Sequence, residues 1–130
     1  MKSSNRHFFR RLAACLILAL VLPTVAPRAA DKRLKALPEQ HRKWIEQEVV
    51  WIISGIERDV FLDLKTDAER ERFIHHFWDA RDPTPGTPQN EFREEHYRRI
   101  DYANAKFSEG GPGWRTDRGR FYIQLGPPAQ

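Results

Sequence analysis

The 130 residues contain one cysteine, Cys15, and it lies in the N-terminal segment read below as a leader. Removal of that segment would leave no disulfide, zinc-thiolate site or cysteine nucleophile. Long apolar runs are equally scarce. The longest, Leu12 to Leu22, has 11 residues, whereas a bilayer span takes about 20. Acidic residues are absent from the first 30 positions. Five of the 22 Lys and Arg fall there, leaving 17 basic against 18 acidic groups in residues 31–130, a net charge near minus one. The formal charge of +4 therefore belongs to the leader and gives no reason to expect nucleic acid as a partner. There are no internal repeats or low-complexity tracts.

What is present begins with a leader. Lys2, Arg6, Arg10 and Arg11 precede the apolar run, and Pro23 to Ala30 is short and rich in small residues, the pattern of a secretory signal peptide over residues 1–30. Cleavage is expected after Ala30, with Ala26 as the rival site. Leu12-Ala13-Ala14-Cys15 spells a lipoprotein box, but its apolar segment follows the cysteine when it should precede it. The pair Arg10-Arg11 is ordinary for a positive leader and does not require twin-arginine export. The expected location is periplasmic or secreted, with membrane contact only if the leader stays uncleaved.

About 100 residues remain, one small domain over 31–130 with a marginal core. Pro38-Glu39 opens a first helix with Leu37, His41, Ile45, Val49 and Ile52 on one face, flanked by Trp44 and Trp51. Ser54-Gly55-Ile56-Glu57 and Thr66-Asp67-Ala68-Glu69 are capping boxes that start two further helices, the second with a stripe of Phe73, Ile74, Phe77 and Trp78. Pro83 ends that helix. The spacing predicts a fourth helix from Pro88 to Phe107, capped by Thr87, with Phe92, His96, Ile100, Ala103 and Phe107 on one stripe and Glu94–Arg98 and Glu95–Arg99 pairs on the wet side.

The last stretch reads differently. Gly110-Gly111-Pro112-Gly113 is a glycine-rich loop pinned by Trp114, Thr116-Asp117-Arg118-Gly119 carries turn chemistry, and Arg120 to Leu125 alternates polar and apolar residues until Gly126-Pro127-Pro128. A strand is expected there. The fold class is thus mainly α with one or few β-strands (α+β): four helices leading through a glycine-tryptophan loop into a C-terminal strand. An isolated strand is unstable in water, so Phe121 to Leu125 is expected to pair with sequence beyond Gln130 or with a protein partner.

Several motifs in order carry a family resemblance. Gly113-Trp114-Arg115-Thr116-Asp117, then Gly119, an apolar run and Gly126-Pro127 resemble the GWxTD domain of bacterial exported proteins. Upstream, Trp78, Asp82 and Pro83 within Phe77 to Pro85, and Asn90 and Phe92 ahead of Glu95 to Ile100, fit the same pattern, which spans roughly residues 38 to 128. The family is named for its motif, and the resemblance implies no activity. It does imply a chain that continues past Gly126-Pro127-Pro128.

Candidate chemistry is thin. His75, His76 and His96, with Asp79, Glu91 and Glu95, lie on two helices that could pack together, and histidine with carboxylate suits zinc or iron. No metal spacing such as His-Glu-x-x-His supports them, so no cofactor is expected. His96 reads better as a core histidine bonded to one partner. Arg115, Arg118 and Arg120 beside glycines suggest an anion cradle, but the order of glycine then strand is the reverse of a phosphate loop. Ser54 and Ser108 have no nucleophile elbow. Asp79, Asp82 and Glu91 offer carboxylates for glycoside chemistry only if their separation suits it. The expected function is a structural or protein-interaction module outside the cytoplasm. The alternative is the helical front of an extracytoplasmic, metal-dependent hydrolase.

Overall fold

A computed structural model of the chain describes residues 32–128. The signal peptide expected over residues 1–30 lies outside the described residues. Six helices and no strand are found among those described: α1 (Lys32–Lys35), α2 (Glu39–Lys43), α3 (Gly55–Asp63), α4 (Asp67–Asp79), α5 (Glu91–Lys106) and α6 (Asp117–Leu125). A π-turn, Trp44–Glu48, continues α2, and a 3₁₀ turn, Gly113–Arg115, precedes α6. No described helix is long and apolar enough to cross a membrane.

Both capping boxes form. Ser54 Oγ accepts the Glu57 N–H while Glu57 reaches back to the Ser54 N–H, and Thr66 and Glu69 repeat the exchange. These reciprocal bonds satisfy helix-end amides that would otherwise have no intrahelical partner. The α5 start differs from expectation. Thr87 Oγ1 donates to the Thr84 and Gln89 carbonyls, so Asn90 provides the cap, accepting the Arg93 N–H at 2.9 Å.

The core is aromatic. Trp44, three residues after His41 and on its face, is buried with Ile45, Val49, Phe61, Phe77 and Trp78. Its ring packs edge-on against Phe77 at 5.2 Å and tilted on Phe61 at 4.9 Å, so it fills the centre of the cluster instead of flanking a stripe. Burial of His41 is sustained by a Glu71 carboxylate 2.9 Å from its Nε2.

The expected C-terminal strand is overturned. Asp117–Leu125 is helical, with Thr116 as N-cap accepting the Gly119 N–H and Gly126 just past the end at φ 83°. Tertiary packing selects the helix. Gly119 and Ile123, four apart, are the residues of α6 that bury, while Phe121 and Leu125, which a strand would place beside Ile123, stay exposed. The fold is therefore all helical among the described residues, and the argument that Phe121 to Leu125 needs a pairing strand falls with it.

Candidate functional site

The Gly-Trp-x-Thr-Asp stretch is a clasp between α5 and α6. Gly113 is buried against α5 so closely that a Cβ would overlap the Ala103 carbonyl oxygen and come within 2.7 Å of Asn104 Cα. Gly119 lies in turn on the Gly113 carbonyl, with no room for a Cβ. Thr116 links the two: its hydroxyl donates to the Gly113 carbonyl at 2.9 Å and accepts the Gly119 N–H at 3.0 Å. Asp117 opens α6, where a negative charge suits the helix N-terminus.

Trp114 is held at both ends of its peptide unit. Its N–H donates to Asn104 Oδ1 at 3.0 Å, and its carbonyl accepts the Trp51 indole N–H at 2.9 Å. The ring is half-buried, so it covers a cavity more than it fills a core hole. The Arg115 and Thr116 amides bond to the Pro112 and Gly113 carbonyls. With the Trp114 N–H bonded to Asn104, these three amides are used internally and are not offered to a phosphate. Arg118 lies 4.7 Å over the Phe107 ring and Arg120 5.1 Å over Phe121, each on an aromatic face.

The upstream motif residues are joints as well. Asn90 Nδ2 donates to the Trp78 carbonyl at 2.7 Å, tying the end of α4 to the start of α5. Asp82 accepts the Thr84 N–H, shaping the turn at Pro83. Phe92 stacks parallel to His96, and Trp78 lies 5.6 Å from the same imidazole. Arg99 of α5 donates to the Ile123 carbonyl and sits against Gly126, anchoring the end of α6 before Pro127.

The three histidines do not converge. His75 is exposed and pairs with Asp79 at 2.7 Å, and His76 is exposed on the same helix. His96 is buried and donates from Nε2 to the Glu48 carbonyl at 2.6 Å. Among the described residues no three His, Cys, Asp or Glu side chains form a group that could hold a metal ion. Neither serine stands free: Ser54 is a cap and Ser108 donates to the Asn104 carbonyl.

A polar network missed by sequence reasoning centres on Glu48. The Ile52 and Ile53 amides both bond to Val49, so the Glu48 carbonyl accepts from His96. The Glu48 carboxylate accepts the Tyr97 hydroxyl proton at 2.7 Å. Burial depresses the His96 pKa, with nearby Arg99 adding to the effect and the Glu48 carbonyl opposing it, and burial together with the Glu48 carboxylate pushes the Tyr97 hydroxyl well above its ordinary value. Glu48, Tyr97 and Trp114 line one cavity of about 250 Å³. The departure that builds it, a π-turn, has no signature in residue spacing. A larger groove of about 830 Å³ runs along α5 and α6 and includes Tyr102, Phe107, Phe121, Tyr122 and Leu125, with Tyr102 and Tyr122 stacked at 4.5 Å.

Comparison with curated proteins and with solved structures gives no significant match. The family model of the GWxTD domain matches residues 35–130. With the clasp described above built from the residues that name it, the chain belongs to the GWxTD domain family.

Proposed function

We propose that this GWxTD domain works outside the cytoplasm as a structural or protein-interaction module, delivered there by residues 1–30 as an export leader. One observation carries the reading: the motif residues make internal bonds and backbone contacts, while the adjoining α5–α6 face is left uncovered by the other described residues. Phe121 is 53% exposed and Leu125 76%, and both line the groove with Phe107 and Tyr102. Apolar patches of this kind on a small domain mark contact surfaces.

The groove's own charge narrows the partner. Arg118 stands over Phe107 within it, so the complementary occupant is an apolar polypeptide segment bearing acidic side chains. Two measurements test the reading. Residues 1–30 fused to a reporter active only after export should yield activity, and an inactive fusion would remove the extracytoplasmic half. Peptides of equal apolar content but opposite charge, titrated against the chain by NMR, should shift Tyr122 and Leu125 only when acidic. Shifts that are absent, or equal for both peptides, would refute the interaction half.

A further inference from the structure

We propose that the cavity between the π-turn and Trp114 is a binding site for a zwitterionic small molecule of the free α-amino-acid class. The lining holds one cation, Lys43, one anion, Glu48, and two carboxamides, Gln47 and Asn104, with apolar walls from Tyr97 and Trp114. Charge complementarity to such a lining calls for a ligand with an ammonium and a carboxylate close together. Lys43 and Glu48 are five residues apart across a π-turn, where the backbone bond runs from Val49 N–H to the Trp44 carbonyl, and this wider turn brings both to one cavity.

The two charges do not neutralise each other, since no ion pair joins them among the described residues. Glu48 Oε2 is held by the Tyr97 hydroxyl, which fixes the carboxylate and leaves Oε1 to accept an ammonium. Asn104 Oδ1 is occupied by the Trp114 N–H, which leaves its Nδ2 to donate to a carboxylate beside Lys43. Ile100 and the two aromatic walls then take the apolar part of the ligand. At about 250 Å³ the cavity is smaller than typical drug-sized sites of about 300–1,000 Å³, which suits an amino acid and excludes a long peptide. Lys43, Gln47 and Asn104 are exposed at the cavity, while Glu48, Tyr97 and Trp114 are half-buried.

The test is an NMR titration of the whole chain with glycine, L-alanine and L-leucine. Isopentylamine and 4-methylpentanoate, which match leucine but lack the carboxylate and the ammonium respectively, serve as comparisons. At least one amino acid should shift the Lys43 to Glu48 amides and the Trp114 indole saturably, and the matched half-charged analogues should bind about tenfold more weakly, the scale of one charge-assisted hydrogen bond. Glu48→Gln, which keeps an acceptor for Tyr97, should lower amino-acid affinity by about tenfold without affecting 4-methylpentanoate. Lys43→Gln should do the same without affecting isopentylamine. No saturable shift with any of the three amino acids would overturn the proposal, as would analogues that bind as tightly as leucine or variants that bind like the parent chain.

Discussion

Gly119→Ala sets two effects of opposite sign against each other. On helix propensity alone, alanine inside α6 should stabilise by about 1 kcal/mol. The clasp predicts the reverse. A Cβ on Gly119 would overlap the Gly113 carbonyl oxygen and come within 3.2 Å of Thr116 Oγ1, and the obstructing atom is backbone, held in turn against α5 through Gly113. Relief requires α6 to move off the 3₁₀ turn. Overpacking of this kind costs about 1–3 kcal/mol, and weakening the Thr116 cap adds about 1 kcal/mol. The net expectation is a loss of about 2 kcal/mol, a drop in Tm of roughly 8–16 °C for a domain of this size. Gly55→Ala is the control, since nothing lies within 4 Å of its Cβ position at the start of α3, and it should be neutral or stabilising. Thermal and urea unfolding followed by circular dichroism would measure both. A Gly119→Ala chain as stable as Gly55→Ala would refute the clasp.

Further outcomes follow from the same contacts. Trp114→Ala should destabilise by about 2 kcal/mol, below the 3–5 kcal/mol of a fully buried tryptophan because the ring is half-buried. Trp51→Phe, which removes the indole N–H bonded to the Trp114 carbonyl and shrinks the ring that faces Arg120, should cost about 1–2 kcal/mol in urea unfolding. Glu57→Ala breaks both the Ser54 box and the Arg81 pair at 2.9 Å, and a loss of about 1–2 kcal/mol is expected. His96 has a folded pKa below its ordinary value of 6.5, so the unfolded chain binds the proton more readily. Its contribution to stability is complete above pH 6.5 and declines as pH falls below that value. Urea midpoints at pH 7.5 and 5.5 should differ less in His96→Gln than in the parent chain, and an equal difference would show that His96 does not supply the effect.

Local signals were legible where the sequence answered to local physics. Ser54 with Glu57 and Thr66 with Glu69 announce their helices because a capping box needs only residues three apart. His41, Ile45 and Val49 bury as their spacing requires. The end of the chain misled because Phe121, Ile123 and Leu125 alternate, which mimics a strand. Helix punctuation was also present: Thr116 ahead of Asp117 as a cap, then Gly126 and Pro127 as a stop. What decided between them was tertiary, the contact of Gly119 and Ile123 with their surroundings, and no window of sequence contains it.

The motif residues were legible as important but not as a mechanism. Gly113 reads as a flexible loop glycine, whereas its role is steric, letting the 3₁₀ turn approach the Ala103 carbonyl. The Glu48 network was invisible because it depends on a π-turn and on Tyr97, whose partner lies 49 positions earlier. Thr87 and Pro88 showed a plausible helix start, yet the Thr87 hydroxyl donates to carbonyls and Asn90 takes the cap.

The Gly-Trp-x-Thr-Asp residues lock α6 onto α5. Carbon chemical shifts and amide exchange of the chain in solution test it most directly. Helical Cα shifts are expected from Asp117 to Leu125, with slowed exchange at the Gly119 and Trp114 amides, which bond to Thr116 and Asn104. Extended-chain shifts over Arg120 to Leu125, or free exchange at both amides, would contradict it.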